Sequence, residues 1–244
     1  NVGAYKFNSS EPFLGVNTLE QLQTVENIVR RRKKLKLREE GVYFVDISHV
    51  WIDEDVKIGQ GTMIQPNVYL AGKTEIGTNV KIMMGSHIEN SKIEDGAEIL
   101  PHSVLENCHV GKKAHVGPFA RLRPGADLGE EAKVGNFVEI KKSKLEKGVK
   151  VSHLSYVGDA FVGENSNVGC GFITCNYDGV NKHVTKIGKD CFIGSDSQAV
   201  APVEIGDGCF VAAGSTITHN MPDGSFAISR GKQMTKEGMA KKFI

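Results

Sequence analysis

Arg123 and Lys141 stand eighteen residues apart, with Lys142 directly after. Two cations brought one above the other repel unless an anion lies between them, and an arginine with a lysine suits a phosphate. The same residues read equally well as a solvated basic face paired with Glu139 or neighbouring acids. Twelve residues beyond Lys141 comes His153, in the run HLSY (153–156). A neutral imidazole near pH 7 can take a proton from an attacking amine, although a lone histidine more often serves only structure. His109 and His115 are six apart, and no carboxylate or cysteine completes an evident metal set around them. The segment CNYDGVNKHVT (175–185) gathers a further polar, cationic and aromatic group.

What must position these residues is a repeat of six. Ile58, Ile64, Leu70, Ile76, Ile82 and Ile88 form one series, Val110 to Ile140 a second, and Ile187 to Ile217 a third. Neither the 3.6-residue helix nor a lone strand of period two has this spacing. A coil of short strands and turns does: three hexads make one triangular turn, and only the aliphatic residue points inward. Glycine often follows that residue, as at Gly59, Gly77 and Gly111, where a tight corner needs it. An eighteen-residue separation is then one full coil, so Arg123 and Lys141 should stack on one face. The solenoid is expected over about 48–220. It would have roughly eight or nine coils and stand on the order of 40 Å tall at a strand spacing of about 4.8 Å. Between Ile173 and Ile187 the spacing is 14 rather than 12, which marks 175–185 as a loop protruding from a bare prism.

Composition agrees with one repeat domain. The chain has 244 residues, 40% hydrophobic and only 7% aromatic, which suits a thin interior of Ile, Val and Leu. A net charge of +1 gives no electrostatic reason to seek nucleic acid or an acidic membrane. No apolar run approaches 18 residues and no signal-peptide pattern opens the sequence, so no membrane partner is expected. The five cysteines, Cys108, Cys170, Cys175, Cys191 and Cys209, contain no CxxC pair and read as reduced thiols of a cytoplasmic protein. Residues 18–38 predict a helix with Thr18 as N-cap and an apolar stripe of Leu19, Leu22, Val25, Ile28 and Val29. Its basic end, Arg30 to Arg38, reads as a solvated face; nothing aromatic interleaves the charges as nucleic-acid binding would want. The sequence opens on Asn1 rather than Met, and a fragment of a longer protein is expected.

Several stretches resemble one family in order and spacing: RLRPGA (121–126), VGNFVEIKK (134–142), HLSYVGDA (153–160), ITCNYDGVNKH (173–183), IGSD (193–196), VAPV (200–203), AAGSTIT (212–218) and ISR (228–230). It is the bacterial bifunctional UDP-N-acetylglucosamine pyrophosphorylase / glucosamine-1-phosphate N-acetyltransferase. The resemblance covers essentially the whole chain, since NVGAY (1–5) and GVN (15–17) are similar to the end of that family's nucleotidyltransferase domain. It implies an all-β fold, a left-handed parallel β-helix of hexapeptide repeats behind a short helical linker, an exception to the usual right-handed crossover. The implied divisions are 1–17, a remnant of the nucleotidyltransferase domain; 18–47, the linker; and 48–244, the acetyltransferase domain with its tail.

The resemblance also implies a homotrimer with sites at the subunit seams, glucosamine-1-phosphate as acceptor and acetyl-CoA as co-substrate, in a cell-wall precursor pathway. On the matching positions His153 would be the general base, and Glu139 would orient the amine or the base. Arg123, Lys141, Tyr156, Asn167 and Lys182 would bind the sugar phosphate; Cys170, Asn176, Tyr177, Ser195, Ala213 and Arg230 would contact acetyl-CoA. Asn17 matches a ligand for Mg²⁺ in uridylyl transfer, an activity of the full-length protein. The chain departs from the family at Thr18-Leu19, where Asp-Arg or Asn-Arg is common, and at Cys170, where a smaller residue is common. Two other readings are a trimeric β-helix metalloenzyme resembling carbonic anhydrase, with histidines converging at a seam, and a non-catalytic regulatory solenoid, which would lack His153, Arg123 and Lys141 in this arrangement.

Overall fold

The computed structural model describes residues 3–242. Asn1 and Val2 of the expected nucleotidyltransferase remnant, and Phe243 and Ile244 of the expected tail, lie outside the described residues. The hexad period does what its spacing requires. Ile64, Leu70, Ile82, Ile88, Leu122 and Ile140 have no exposed surface, while their strand neighbours Lys81, Arg121 and Lys133 face solvent. Strands of two to four residues alternate with corners and wind a three-sided prism of about ten coils, more than the sequence suggested.

Among the described residues three parallel sheets form its faces. Face A runs through eleven strands from Tyr43–Phe44 to Phe226–Ala227, face B through ten from Val50–Ile52 to Thr216–Ile217, and face C through nine from Lys57–Ile58 to Val203–Ile205. The extra coil comes from the ends, where Phe44 and Ala227 take the inward position that an Ile or Val holds elsewhere. The first strand therefore lies inside the span expected as linker, 18–47. Each strand pairs only with the strands above and below it on its own face, eighteen residues on at Arg121↔Glu139 and seventeen on at Lys144↔Phe161. The shorter coils are those in which one hexad has lost a residue at a corner. Among the described residues fifteen non-glycine residues have φ > 0, including Asn67, Phe119, Phe137 and Leu154.

Coils also approach closely. A Cβ on Gly135 would lie 1.9 Å from the Ser152 carbonyl oxygen, so only glycine lets these two coils meet there.

Helix α1 (Leu19–Glu39) begins with a capping box: Thr18 Oγ1 accepts from the Gln21 N–H, and Gln21 Oε1 accepts from the Thr18 N–H. The expected apolar stripe is not what seats it. Leu19 is 85% exposed, and Leu37 is the helix residue that is buried. The basic end, expected as a solvated face, does the docking. The Arg30 guanidinium lies 3.3 Å from the centre of the Trp51 ring, Lys33 donates to the Glu54 carbonyl, and Lys34 donates to the carbonyls of Ile47 and Val50. Lysine and arginine stems cover apolar surface while their heads find acceptors. Among the described residues no helix is long and apolar enough to cross a membrane.

Candidate active site

Arg123 follows the face B strand Arg121–Leu122, and Lys141 closes the next strand of that face, Glu139–Lys141. Pairing of Leu122 with Ile140 puts the two cations in vertical register at the edge between faces B and C, as the eighteen-residue spacing predicts. The clamp already holds a carboxylate. Arg123 Nη1 donates to Glu139 Oε1 at 2.8 Å, and this bond raises the guanidinium pKa further. The solvated pairing read from sequence as the alternative is therefore present in the molecule. The loop expected at 175–185 leaves the same edge, between strands Ile173–Cys175 and Thr185–Ile187, and folds down that edge over the coils beneath it. It brings Lys182 beside Lys141. That second amine, with desolvation and Arg123 adding to it, holds the Lys141 amine below the usual lysine range.

The loop is a small hairpin closed by an antiparallel bridge, Tyr177↔Lys182. Asp178 organises it, accepting from the N–H groups of Val180 and Asn181 and lying 2.7 Å from His183 Nε2. The hairpin base is tied down by Asn176, which is buried and donates to Asp159 and to the Tyr156 hydroxyl. The Tyr156 ring covers Gly158 on its own strand, so it points toward this edge. One edge thus gathers Arg123, Lys141, Tyr156 and Lys182 with the acids Glu139 and Asp159. Sequence reasoning missed Asp159, although it sits within HLSYVGDA.

His153 lies elsewhere. It ends the face A strand Lys150–His153, at the edge between faces A and B, and its side chain is exposed. Its ring partner is a residue that spacing did not suggest: Asn136 Oδ1, 2.6 Å from Nδ1 and one coil below. Glu139, expected to orient the amine or the base, is engaged by Arg123 instead. The edge that carries His153 continues upward through the residues expected to contact acetyl-CoA. The Gly171 N–H bonds the His153 carbonyl, the Asp196 N–H the Cys170 carbonyl, and the Gly214 N–H the Ser195 carbonyl. At the top Arg230 Nη1 donates to the Ala213 carbonyl. Cys170, Ser195, Ala213 and Arg230 therefore form a column above His153. Asn167 stands on face A between Lys150 and Phe192. Within one chain the column and the cationic cluster occupy different edges, one face apart.

His109 differs from its expectation, because carboxylates do reach it: Asp127 at 2.6 Å and Glu94 at 3.2 Å, on the coils above and below. Among the described residues no three His, Cys, Asp or Glu side chains converge in a way that could hold a metal ion. Asn17 lies on the exposed turn before α1, with its N–H on Gln21 Oε1. These residues do not fit a Mg²⁺ site by themselves.

The chain is 49% identical over 238 residues to the bifunctional protein GlmU of Staphylococcus haemolyticus, covering 98% of this chain and 52% of that one. GlmU of Clostridioides difficile is 46% identical, with 99% and 52% covered. Residues 47–134 match the family model described as the GMPPB C-terminal domain, and residues 184–219 that of the hexapeptide repeat of succinyl-transferase. Among solved structures, Arabidopsis UDP-N-acetylglucosamine acyltransferase is similar at 14% identity and a TM-score of 0.46, over 75% of this chain and 68% of its own. The chain spans about half the length of the curated relatives it matches. Over that half, the curated homologues of this chain are bifunctional GlmU proteins, matched along nearly its whole length.

Proposed function

We propose that this chain transfers the acetyl group of acetyl-CoA to the amine of glucosamine-1-phosphate, within a left-handed, trimeric β-helix whose sites lie at subunit seams. The observation that carries this reading is His153 itself: an exposed imidazole whose Nδ1 is held by an amide oxygen, at the foot of the Cys170–Arg230 column. With Nδ1 protonated, Nε2 is the free acceptor. It takes a proton from the sugar amine as the nitrogen bonds to the thioester carbonyl carbon. The carbon–sulfur bond then breaks, and the CoA sulfur leaves with a proton returned by His153. Acetyl-CoA lies along the column, contacting Cys170, Ser195, Ala213 and Arg230, with Asn176 and Tyr177 supplied by the hairpin. Arg123, Lys141 and Lys182 take the phosphate, and Tyr156 and Asn167 the sugar hydroxyls. No nucleophilic cysteine is required. A second activity, uridylyl transfer with Mg²⁺ and a role for Asn17, belongs to the longer protein and needs residues that this chain does not supply.

The test is release of free thiol from acetyl-CoA in the presence of glucosamine-1-phosphate. Turnover is expected in the unaltered chain, and His153→Ala is expected to lower it by roughly 10²–10⁴-fold with assembly unchanged. Near-normal turnover in that variant removes His153 from the mechanism.

A further inference from the structure

Most strands of face A contain two residues. Two consecutive ones, Lys133–Asn136 and Lys150–His153, contain four, and their ladder runs two positions further to pair Asn136 with His153. The extension depends on the missing side chain of Gly135, since any Cβ there would strike the backbone at Ser152. The fold therefore lengthens one ladder at the place where an amide and an imidazole meet.

The partner is neutral, as it is for His219 with Thr218, but unlike those of most histidines here. His49, His87, His109, His115 and His183 all lie within ion-pair distance of carboxylates. Among the described residues His153 makes no such pair, and its ring hydrogen bond goes to the neutral Asn136. Lys133 and Lys150 lie on the same face, and Cys170 and Asp196 follow on the coils above. A carboxylate partner would orient the ring and also favour the imidazolium, which has no lone pair for an amine proton. A carbonyl oxygen of an amide orients the ring as an acceptor without that penalty.

We infer that Asn136 is the positioning residue of this site: it fixes the Nδ1–H tautomer of His153 and so leaves Nε2 as the proton acceptor. The inference rests on the proposed acetyl transfer for its purpose, but the tautomer is observable without any turnover.

Two measurements on the same chain test it. In long-range ¹⁵N–¹H spectra of histidine-labelled protein, with the His153 signals identified by their loss in His153→Gln, the unaltered chain shows the Nδ1–H tautomer. Asn136→Ala shifts the population toward Nε2–H. A predominant Nε2–H tautomer in the unaltered chain, or no shift in the variant, overturns the inference. In the thiol-release assay Asn136→Ala lowers kcat roughly 10- to 100-fold, as loss of an orienting partner does, with KM for the sugar phosphate little changed. Asn136→Asp keeps the Nδ1–H tautomer and moves the acid limb of kcat upward by about one pH unit. An unchanged kcat in Asn136→Ala, an effect on KM alone, or an unmoved acid limb in Asn136→Asp also overturns it. If the tautomer is as inferred while neither the unaltered chain nor its variants release thiol, the proposed reaction falls and the positioning stands.

Discussion

Asp178 shows how much a single exposed side chain can organise. Its acceptance from the Asn181 N–H, the bond to His183 and the Val180 N–H hold its carboxyl well below the usual range, at about 2. The folded pKa is depressed, so the hairpin gains support from the carboxylate above the unfolded value of about 4 and loses it as pH falls through about 2. The Val180 and Asn181 amide resonances should therefore titrate with a midpoint near 2, and Asp178→Ala should release both amides to fast exchange at pH 6. A midpoint near 4 would show that the carboxylate is not held in solution. Lys182 reaches Lys141 only because this hairpin folds on its own edge. The site residues were legible to different degrees for physical reasons. Arg123 under Lys141 follows from the eighteen-residue coil. Asn136 under His153 does not, because that coil is one residue short and the partner stands seventeen away, with nothing local to mark it. The Arg123–Glu139 bond was one of two readings, and spacing alone cannot say whether a carboxylate or a ligand occupies the cations.

At the scale of the coil, backbone approach and backbone conformation are separable. Gly135 meets Ser152 backbone atoms with no room for a methyl group, and backbone cannot swing aside as a side chain can. Gly224 has φ +67° and nothing within 4 Å of its would-be Cβ, so there only the left-handed conformation resists substitution. Gly135→Ala should cost the upper end of the roughly 1–3 kcal/mol typical of overpacking, or more, and Gly224→Ala only about 1 kcal/mol. Urea midpoints compare them, and equal losses would mean that the coils part more easily than their spacing suggests. The strands themselves were legible because a six-residue period admits one inward position per side. The ends were less so: Tyr43–Phe44 and Phe226–Ala227 carry no aliphatic signal, yet both join face A. Helix α1 was found by its cap and its period. How it docks was not, since an arginine on Trp51 leaves no mark in the spacing of Leu and Val.

Across the whole molecule the two clusters sit on different edges of one prism. A rigid scaffold cannot fold one edge onto another, so the proposed site pairs the His153 column of one copy with the cationic edge of a second. In the proposed trimer, mixing His153→Ala with Lys182→Ala chains, after dissociation and reassembly, should restore part of the activity that each variant lacks. Failure to complement in verified mixed trimers would place both residues in a single chain's site. Among the described residues ladders join only adjacent coils, which bears on mechanics as well. A tether pulling the two ends apart loads the outermost coil in peel, so its few hydrogen bonds break before those beneath feel the force. Each coil so freed pays out roughly 60 Å of chain, at up to about 3.5 Å per residue. Like thread on a spool, the protein resists heat with its whole length and tension with only its last turn.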